Sequence, residues 1–270
     1  GFRAGTAAPP TSRRFRIDSR MSDATAPAVL LRDVRLDRGG RSVLSGIDLS
    51  VPRGSVTAVL GPSGSGKSTL LSALTGELVP AAGTVEVFGQ RVPTRTRDLL
   101  ELRKSIGVLL QGNGLLTDLT AGENIALPLR LHTRFPKPVI ARLVAMKLHA
   151  VGLRAAADLY PRELSGGMKR RLMIARAMMT RPRLLILDEP TNHLDDDAVD
   201  YLISELRKWK GPVLMASHDR AFIEAVSSVI YDLDTASWQA LVTAGGGTNL
   251  PGIYRCAGNY NDYLAAKQRA

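Results

Sequence analysis

A strand, a glycine-rich loop and a helix follow one another over residues 55–76, and this order limits the possible folds more than any other feature. Residues 55–60 are apolar enough for a buried parallel strand, and leucines repeat at helical spacing after residue 69. The loop between them, residues 61–69, reads G-x-x-x-x-G-K-[ST]. Backbone amides and a helix N-terminus in this arrangement bind phosphate groups. The pattern therefore predicts an α/β fold with a nucleotide site at this loop.

The residue types in the loop suit ATP and Mg²⁺. Lys67 is long enough to reach the β- and γ-phosphates, and the Ser68 hydroxyl is a ligand for the metal ion. The other nucleotide contacts are expected from the remaining loop residues and the first helical turn, namely Gly61, Ser63, Gly64, Gly66 and Thr69.

Composition indicates an ordinary soluble globular protein. The 270 residues are 44% hydrophobic and 23% charged, and the single cysteine, Cys256, has no partner for an intramolecular disulfide. No uninterrupted apolar run approaches the roughly 20 residues that a membrane-spanning helix needs. We therefore expect a cytoplasmic protein that acts at a membrane only through a partner.

Positive charge is concentrated at the start of the chain. The formal net charge is +11, and residues 1–20 hold five arginines against one aspartate. We predict that residues 1–27 form a disordered basic extension, because the segment is rich in Ala, Pro, Ser and Thr and lacks the apolar core of a signal peptide. A basic targeting arm is the alternative. The remaining excess is interpreted as a solvated basic surface, so direct DNA binding is not expected.

Strands and helices alternate along the rest of the chain, which predicts a largely parallel sheet. Residues 28–58 alternate like strands, with turns at 38–40 and 52–54, and a Pro-containing stretch, 127–138, separates two helical patterns. Further strands are predicted at 83–89, 184–187 and 212–216, and helices at 97–105, 140–151, 168–180 and 195–209.

Two adjacent carboxylates end the apolar run 184–187. The carboxyl ends of parallel strands lie on one edge of a sheet, so Asp188 and Glu189 should lie beside the phosphate-binding loop. Asp188 is suited to hold Mg²⁺ through water, and Glu189 to polarise the attacking water in phosphoryl transfer. The alternative is that this acidic pair only caps the next helix.

Three further groups are candidate contacts for phosphate or metal. Ser165 is placed to cap the helix that follows it, and Gly166 and Gly167 allow a phosphate to approach that helix closely. Gln111 follows a short apolar run and is expected near the metal ion. His218 follows the strand at 212–216, where contact with the γ-phosphate is expected, although a lone histidine is usually structural.

The order of these motifs resembles the ATP-binding cassette (ABC) ATPase family over residues 28–233. The resemblance implies a parallel-sheet core with an antiparallel β subdomain and a helical subdomain. It implies an ATPase domain over 28–245, with the helical subdomain at 112–165, and a C-terminal tail over 246–270. It assigns Walker A to 61–69, the Q-loop to Gln111, the signature to 164–168, Walker B to 184–189, the D-loop to 192–195 with Asp195, and the switch histidine to His218.

The resemblance also implies a pair of cassettes, because in this family the signature faces ATP held by the other cassette. One loop and one signature in this chain imply a homodimer or a second, different cassette. Two residues depart from the family pattern. Met168 ends the signature where glutamine is usual, and Arg38 occupies the position of an adenine-stacking aromatic. A guanidinium plane can also stack on a base, so Arg38 is a candidate nucleotide contact.

Two parts of the chain resemble different subfamilies. Residues 33–171 are similar to the ATPase subunit of Mla-type phospholipid transporters, including the signature that ends in Met168. Residues 182–270 are similar to ABC-F proteins, which act on ribosomes. The sequence is therefore interpreted as a mosaic, natural or engineered.

The main functional hypothesis is an ATPase subunit of a lipid transporter, held on the inner face of the cytoplasmic membrane by an integral membrane permease. Residues 112–163 would dock on the permease, and this is where the Mla-type resemblance is closest. An ABC-F protein normally carries two cassettes, and 270 residues hold one. A ribosome-associated translation or resistance factor is the alternative, and a cassette with neither partner is the third hypothesis.

Overall fold

A computed structural model describes residues 26–110, 112, 114–234, 236 and 253–269. The predicted N-terminal extension therefore lies outside the described residues, apart from its last two positions. Gln111 also lies outside them, so its expected place near a metal ion stays a prediction.

The described strands form two sheets. They are β1 (Val29–Arg38), β2 (Arg41–Val51), β3 (Val56–Leu60), β4 (Ala82–Val87), β5 (Gln90–Arg91), β6 (Ile106–Leu109), β7 (Leu184–Asp188), β8 (Val213–Ala216), β9 (Val229–Asp232) and β10 (Tyr254–Ala257). The central sheet has the order β10-β9-β3-β8-β7-β6, and only its β10–β9 pair is antiparallel. The other sheet is antiparallel, with the order β2-β1-β4-β5. The predicted fold class is confirmed.

The four helices predicted at 97–105, 140–151, 168–180 and 195–209 are present, and their ends differ from the predicted ones by one to three residues. The structure also has helices that the sequence pattern did not predict. The described α-helices are α1 (Lys67–Leu74), α2 (Thr96–Lys104), α3 (Ala121–His132), α4 (Lys137–Ala150), α5 (Gly166–Ala177), α6 (Asp196–Lys208), α7 (Arg220–Val226) and α8 (Tyr260–Arg269). The helix predicted at 168–180 begins two residues earlier, because Ser165 caps it, and ends three residues earlier. Arg181 then adopts a left-handed φ of 49°, which a helix cannot continue through.

The central sheet is buried on both faces, as its apolar sequences require. Every residue of β7, β8 and β9 is buried. In the register of the sheet, Ala216 pairs with both Val59 and Asp188. This register places the loop after β3, the carboxylates after β7 and the segment after β8 along one edge. The sequence therefore positions the candidate site through strand pairing.

Residues 127–138 were expected only to separate two helices, but α3 extends through residue 132. Its start is fixed by a capping box: Thr120 Oγ1 accepts from the Glu123 amide, and Glu123 Oε2 accepts from the Thr120 amide. Pro128 lies inside this helix. Burial of Ile125 and Leu129 against α4 and α5 outweighs the proline, which the sequence pattern alone could not indicate.

Asn124 organises the loop that precedes α3. Its side chain is fully buried, and Nδ2 donates to the carbonyls of Leu116, Leu119 and Thr120, each at 3.0 Å. Oδ1 accepts from the Leu116 amide at 2.9 Å. One side chain therefore fixes the loop before α3 and satisfies its polar backbone groups.

We expect Asn124→Ala to lower the free energy of unfolding by about 2–4 kcal/mol, because it leaves several buried backbone groups without a partner. Chemical denaturation measures this loss. Asn192→Ala, at an exposed position, is the control and should change stability by less than about 0.5 kcal/mol. Equal effects of the two substitutions would contradict the structural role of Asn124.

The last described segment joins the central sheet. β10 pairs with β9, with Tyr254 opposite Asp232 and Ala257 opposite Val229. Tyr263 of α8 is buried, and its hydroxyl donates to Asp232 Oδ2 at 2.6 Å. Part of the predicted C-terminal tail, residues 246–270, therefore forms an edge strand of the central sheet. The predicted domain limits stay predictions. In the parts of the chain described here, no helix has the length and apolar character to cross a membrane.

Candidate nucleotide site

The phosphate-binding loop connects β3 to α1, and two of its glycines are required by its geometry. Gly61 has φ 143°, and an added Cβ would lie 2.6 Å from Ser65 Oγ. Gly66 has φ 98°, and its Cβ would lie 2.9 Å from Leu44 Cγ. Both positions combine a backbone angle that favours glycine with a close neighbour. The chain can therefore turn sharply from β3 into α1 because neither position carries a side chain.

Lys67 is the first residue of α1, and its ammonium lies over the loop. Nζ donates to the carbonyls of Gly61 at 2.6 Å and Pro62 at 3.0 Å. Burial lowers the pKa of Lys67, while the nearby carboxylates of Glu189, Asp188 and Asp232 act in the opposite direction. A cation is therefore held between a phosphate-binding loop and a group of acids.

The neighbouring loop residues divide by exposure. Ser63 and Gly64 are exposed, Ser68 is half-buried, and Thr69 is buried under the loop. An added Cβ at Gly64 would have open space around it, although its φ of 81° favours glycine. A phosphate chain can therefore approach the loop from the exposed side at Ser63 and Gly64.

Asp188 ends β7 and is 1% exposed. Both carboxylate oxygens are buried, and neither has a hydrogen-bond partner among the described residues. A buried carboxylate without partners is costly unless a cation compensates it. In the described part of the chain, no group of three acidic, histidine or cysteine side chains is arranged to hold a metal ion by itself. The arrangement fits a cation held by one carboxylate and phosphate oxygens, as Mg²⁺ commonly is.

Glu189 and His218 form the second acidic element of the site. Glu189 has a left-handed φ of 47°, and its Oε2 accepts from the His218 amide at 3.1 Å. His218 Nε2 lies 3.2 Å from Glu189 Oε1, and the histidine side chain is 57% exposed. Burial raises the pKa of Glu189, opposed by His218 and Lys67. The predicted base and the predicted switch histidine are therefore in direct contact.

Arg170 was not predicted from the sequence, although it connects the helix after the signature to the Walker B segment. It lies in α5, is buried, and its Nη2 donates to the carbonyls of Asp188 and Glu189. Burial lowers its pKa, while the two carboxylates raise it. The helix after the signature is thus tied to the end of β7. No motif indicates this role, because buried and exposed arginines look alike in a basic helix.

The signature and the D-loop are also adjacent. Ser165 Oγ accepts from the Met168 amide at 3.2 Å, which confirms the predicted cap of α5. An added Cβ at Gly167 would lie 2.9 Å from the His193 carbonyl oxygen. Arg171 Nη2 lies 3.8 Å from Asp195 Oδ2, and Asp195 caps α6 by accepting from the Ala198 amide. Ser165 and Gly166 are exposed, so another molecule can reach this helix N-terminus.

Arg38 lies at the end of β1, beside the two-residue turn to β2. It is exposed and pairs across the hairpin with Arg41. The described structure does not bring it against Lys67 or Asp188 through a hydrogen bond or an ion pair. Base stacking by Arg38 therefore stays a prediction.

Comparison with known proteins agrees with this geometry. The family model described as "ABC transporter" matches residues 44–192. The chain is 43% identical to the "Intermembrane phospholipid transport system ATP-binding protein MlaF" of Escherichia coli (strain K12) over 204 residues. That match covers 74% of this chain and 76% of the relative. The protein with the same name from Haemophilus influenzae is 37% identical over 206 residues, which cover 74% of this chain and 78% of the relative.

A solved structure supports the nucleotide assignment. It is the dimeric, post-hydrolysis state of the ATP-binding cassette MJ0796 bound to ADP and Pi, with 28% identity and a TM-score of 0.69. The similarity covers 76% of this chain and 93% of that one. Because MJ0796 holds the products of ATP hydrolysis on the same fold, ATP is the nucleotide expected here.

The resemblance of residues 182–270 to ABC-F proteins is not supported by these comparisons. The matches to both MlaF proteins cover 74% of the chain, so they include residues 184–195 wherever they begin. The phosphate-binding loop and the Walker B segment both lie within residues 44–192, which the family model matches. With a matching family model and two relatives above 30% identity, this chain belongs to the ABC transporter family of ATPases.

Proposed function

We propose that this ATPase is the nucleotide-binding subunit of a phospholipid transporter and acts on the inner face of the cytoplasmic membrane through a permease. The observation that carries the proposal is an exposed apolar surface on the helical part of the fold. Eight large apolar side chains are exposed among the described residues, and five lie between residues 116 and 146: Leu116, Leu131, Phe135, Val139 and Met146. We propose that these side chains form one interaction surface, because large exposed apolar patches are typical of protein interfaces.

A groove beside this surface is lined by elements that run to the ATP site. The groove has a volume of about 210 Å³ and lies between α3, the start of β6 and the end of α5. Leu131 lines it from α3, and Ile106 and Ala177 line the opposite side. β6 pairs with β7, which ends in Asp188. A permease segment seated in the groove would therefore contact strands and helices that end at the candidate site.

Within one subunit, each side chain has a role that follows from its position. Lys67 would bind the β- and γ-phosphates, and the loop amides would bind the remaining phosphate oxygens. Ser68 and Asp188 would hold Mg²⁺, which supplies neutralisation of charge on the phosphates when bound. Gln111 and Arg38 would add a metal contact and a base contact.

Hydrolysis would use Glu189 as the group that orients and polarises water. Its raised pKa makes the carboxylate a better proton acceptor than an exposed glutamate. The His218 amide orients this carboxylate through its hydrogen bond to Oε2 at 3.1 Å, and the imidazole Nε2 lies 3.2 Å from Oε1. His218 itself remains exposed enough to contact the γ-phosphate.

The signature supports a two-subunit site. Ser165, Gly166 and Gly167 present a capped helix N-terminus to solvent, which is a favourable place for a phosphate. Asp195 lies beside this helix through Arg171. We propose that two copies of this chain pair head to tail, so that the signature of each copy completes the ATP site of the other.

The permease proposal predicts co-purification with an integral membrane protein. The tagged chain, added to detergent-solubilised membranes of the source cells, should retain a permease at low and moderate salt, because apolar contacts are insensitive to screening. ATPase activity should rise in the complex. Reconstituted into vesicles with a labelled phospholipid, the complex should move lipid only with ATP.

Matched variants test the surface itself. Phe135→Asp and Leu131→Asp should each remove most of the bound permease, whereas Val79→Asp, at an exposed site outside residues 112–163, should not. Basal ATPase activity should persist in all three. Recovery of ribosomes alone, lost as salt rises, would overturn the transporter proposal, because ribosome binding depends on phosphate contacts.

A further inference from the structure

A second cavity, of about 580 Å³, lies at the opposite edge of the central sheet from the phosphate-binding loop. Arg181 and Pro182 line it just before β7 begins, and residues 208–211 line it just before β8 begins. Lys147 of α4 closes the remaining side. Because both strands start here and carry the ATP site at their other ends, this cavity is separate from the nucleotide site.

Positive charge dominates the cavity. Four cationic side chains line it: Lys147, Arg181, Lys208 and Lys210. Glu205 is the single carboxylate in the described lining, and its oxygens lie 3.8 Å from Lys147 Nζ and 3.7 Å from Lys208 Nζ. One negative charge therefore faces four positive ones, which leaves a net attraction for an anion.

Two of these cations, Lys147 and Arg181, line the same cavity and repel each other. Burial lowers the pKa of Lys147, the charge of Arg181 lowers it further, and Glu205 raises it. Lys147 is only 20% exposed at its side chain, so solvent screens this repulsion less than it would at an open surface. An anion between Lys147 and Arg181 would remove the repulsion and share hydrogen bonds from both.

Part of the cavity wall is apolar. Trp209 lies against the backbone at Gly211, where an added Cβ would be 2.9 Å from the indole Nε1. Met178 and Pro182, both buried, continue this wall. Cations beside an aromatic face and apolar side chains suit a ligand with one charged end and one flat apolar part. The volume is within the range of small-molecule sites, about 300–1,000 Å³.

We infer that this cavity binds a small organic anion, with its phosphate or carboxylate between Lys147 and Arg181 and a flat ring against Trp209. The site goes beyond ATP hydrolysis and phospholipid transport. Its position at the amino ends of β7 and β8 separates it from every residue assigned to nucleotide binding.

Phenyl phosphate is a direct probe, and Trp209 reports its binding. In a Trp238→Phe background, where Trp209 is the remaining tryptophan, phenyl phosphate should change the fluorescence in a saturable way. Inorganic phosphate should bind more weakly because it lacks the ring, and phenol should not bind because it lacks the charge. The response should persist in Lys67→Ala, which separates it from the phosphate-binding loop.

Charge variants test whether these cations bind a ligand. The alternative is that they only stabilise the negatively polarised C-terminal ends of nearby helices. Arg181→Asn, which suits the left-handed backbone at this position, should weaken phenyl phosphate about tenfold, and Arg181→Lys much less. Glu205→Gln should tighten binding, because it removes the opposing charge. A Trp209 signal that does not saturate, or an affinity unchanged by Arg181→Asn and Glu205→Gln, would overturn the inference.

Discussion

Lys67→Ala is expected to abolish ATP turnover and to weaken nucleotide binding. The Lys67 ammonium lies 2.6 Å and 3.0 Å from two carbonyl oxygens of the loop, at the point where phosphates would enter. It is also the cation that faces Asp188 and Glu189. Removal of one preorganised electrostatic contact of this kind typically costs about 10²–10³ in rate, and Lys67 serves both phosphate binding and charge stabilisation. We therefore expect a loss of at least about 100-fold.

Phosphate release measures this loss, and nucleotide affinity is measured separately by calorimetry. Lys137→Ala, which removes an exposed lysine at the start of α4, is the matched control and should retain parental activity. Near-normal turnover in Lys67→Ala would show that the loop at residues 61–69 is not the hydrolytic site.

Glu189→Gln is expected to separate ATP binding from hydrolysis. The amide keeps the size of the carboxylate and can accept the hydrogen bond from the His218 amide, now 3.1 Å from Oε2. It is a much weaker base, and loss of general base catalysis costs about 10²–10⁴ in rate. The backbone at 189 should not move, because its carbonyl is held by Arg170 and its amide donates to Ala216.

Single-turnover hydrolysis and equilibrium ATP binding measure the two effects of Glu189→Gln. Binding should stay within about threefold of the parental protein, while hydrolysis falls by two orders of magnitude or more. Glu224→Gln is the control. This glutamate lies away from the catalytic edge, and its carboxylate accepts hydrogen bonds from Asn259 and Asn261. Hydrolysis at the parental rate in Glu189→Gln would exclude this residue as the base.

Much of the nucleotide edge could be predicted from the sequence, because strand register determines it. Polar residues that follow apolar parallel strands lie at the carboxyl edge of the sheet. The phosphate-binding loop, Asp188 and His218 lie along this one edge, as predicted. The contact of Glu189 with His218 follows from the same register, with a left-handed backbone that the sequence did not indicate.

The contacts between motifs could not be predicted, since they depend on how helices pack on the sheet. Arg170 is buried against the carbonyls after β7, while Lys169 beside it is half-buried, and the two look equivalent in the sequence. Asn124 is similar, because a buried asparagine that organises a loop has no motif. α3 was missed because Pro128 favoured a break, whereas tertiary packing kept the helix intact.

We propose that two copies of this chain share each ATP site. Adding Ser165→Arg to the Glu189→Gln variant tests this proposal most directly. Light scattering with and without ATP would measure dimers, and calorimetry would measure ATP binding by the monomer. Glu189→Gln alone should dimerise with ATP. The added arginine should abolish the dimer while monomer binding persists, because in the proposed dimer the signature of one copy contacts ATP held by the other. Thr94→Arg, at another exposed site, is the control. An undiminished ATP-dependent dimer in Ser165→Arg would contradict the shared site.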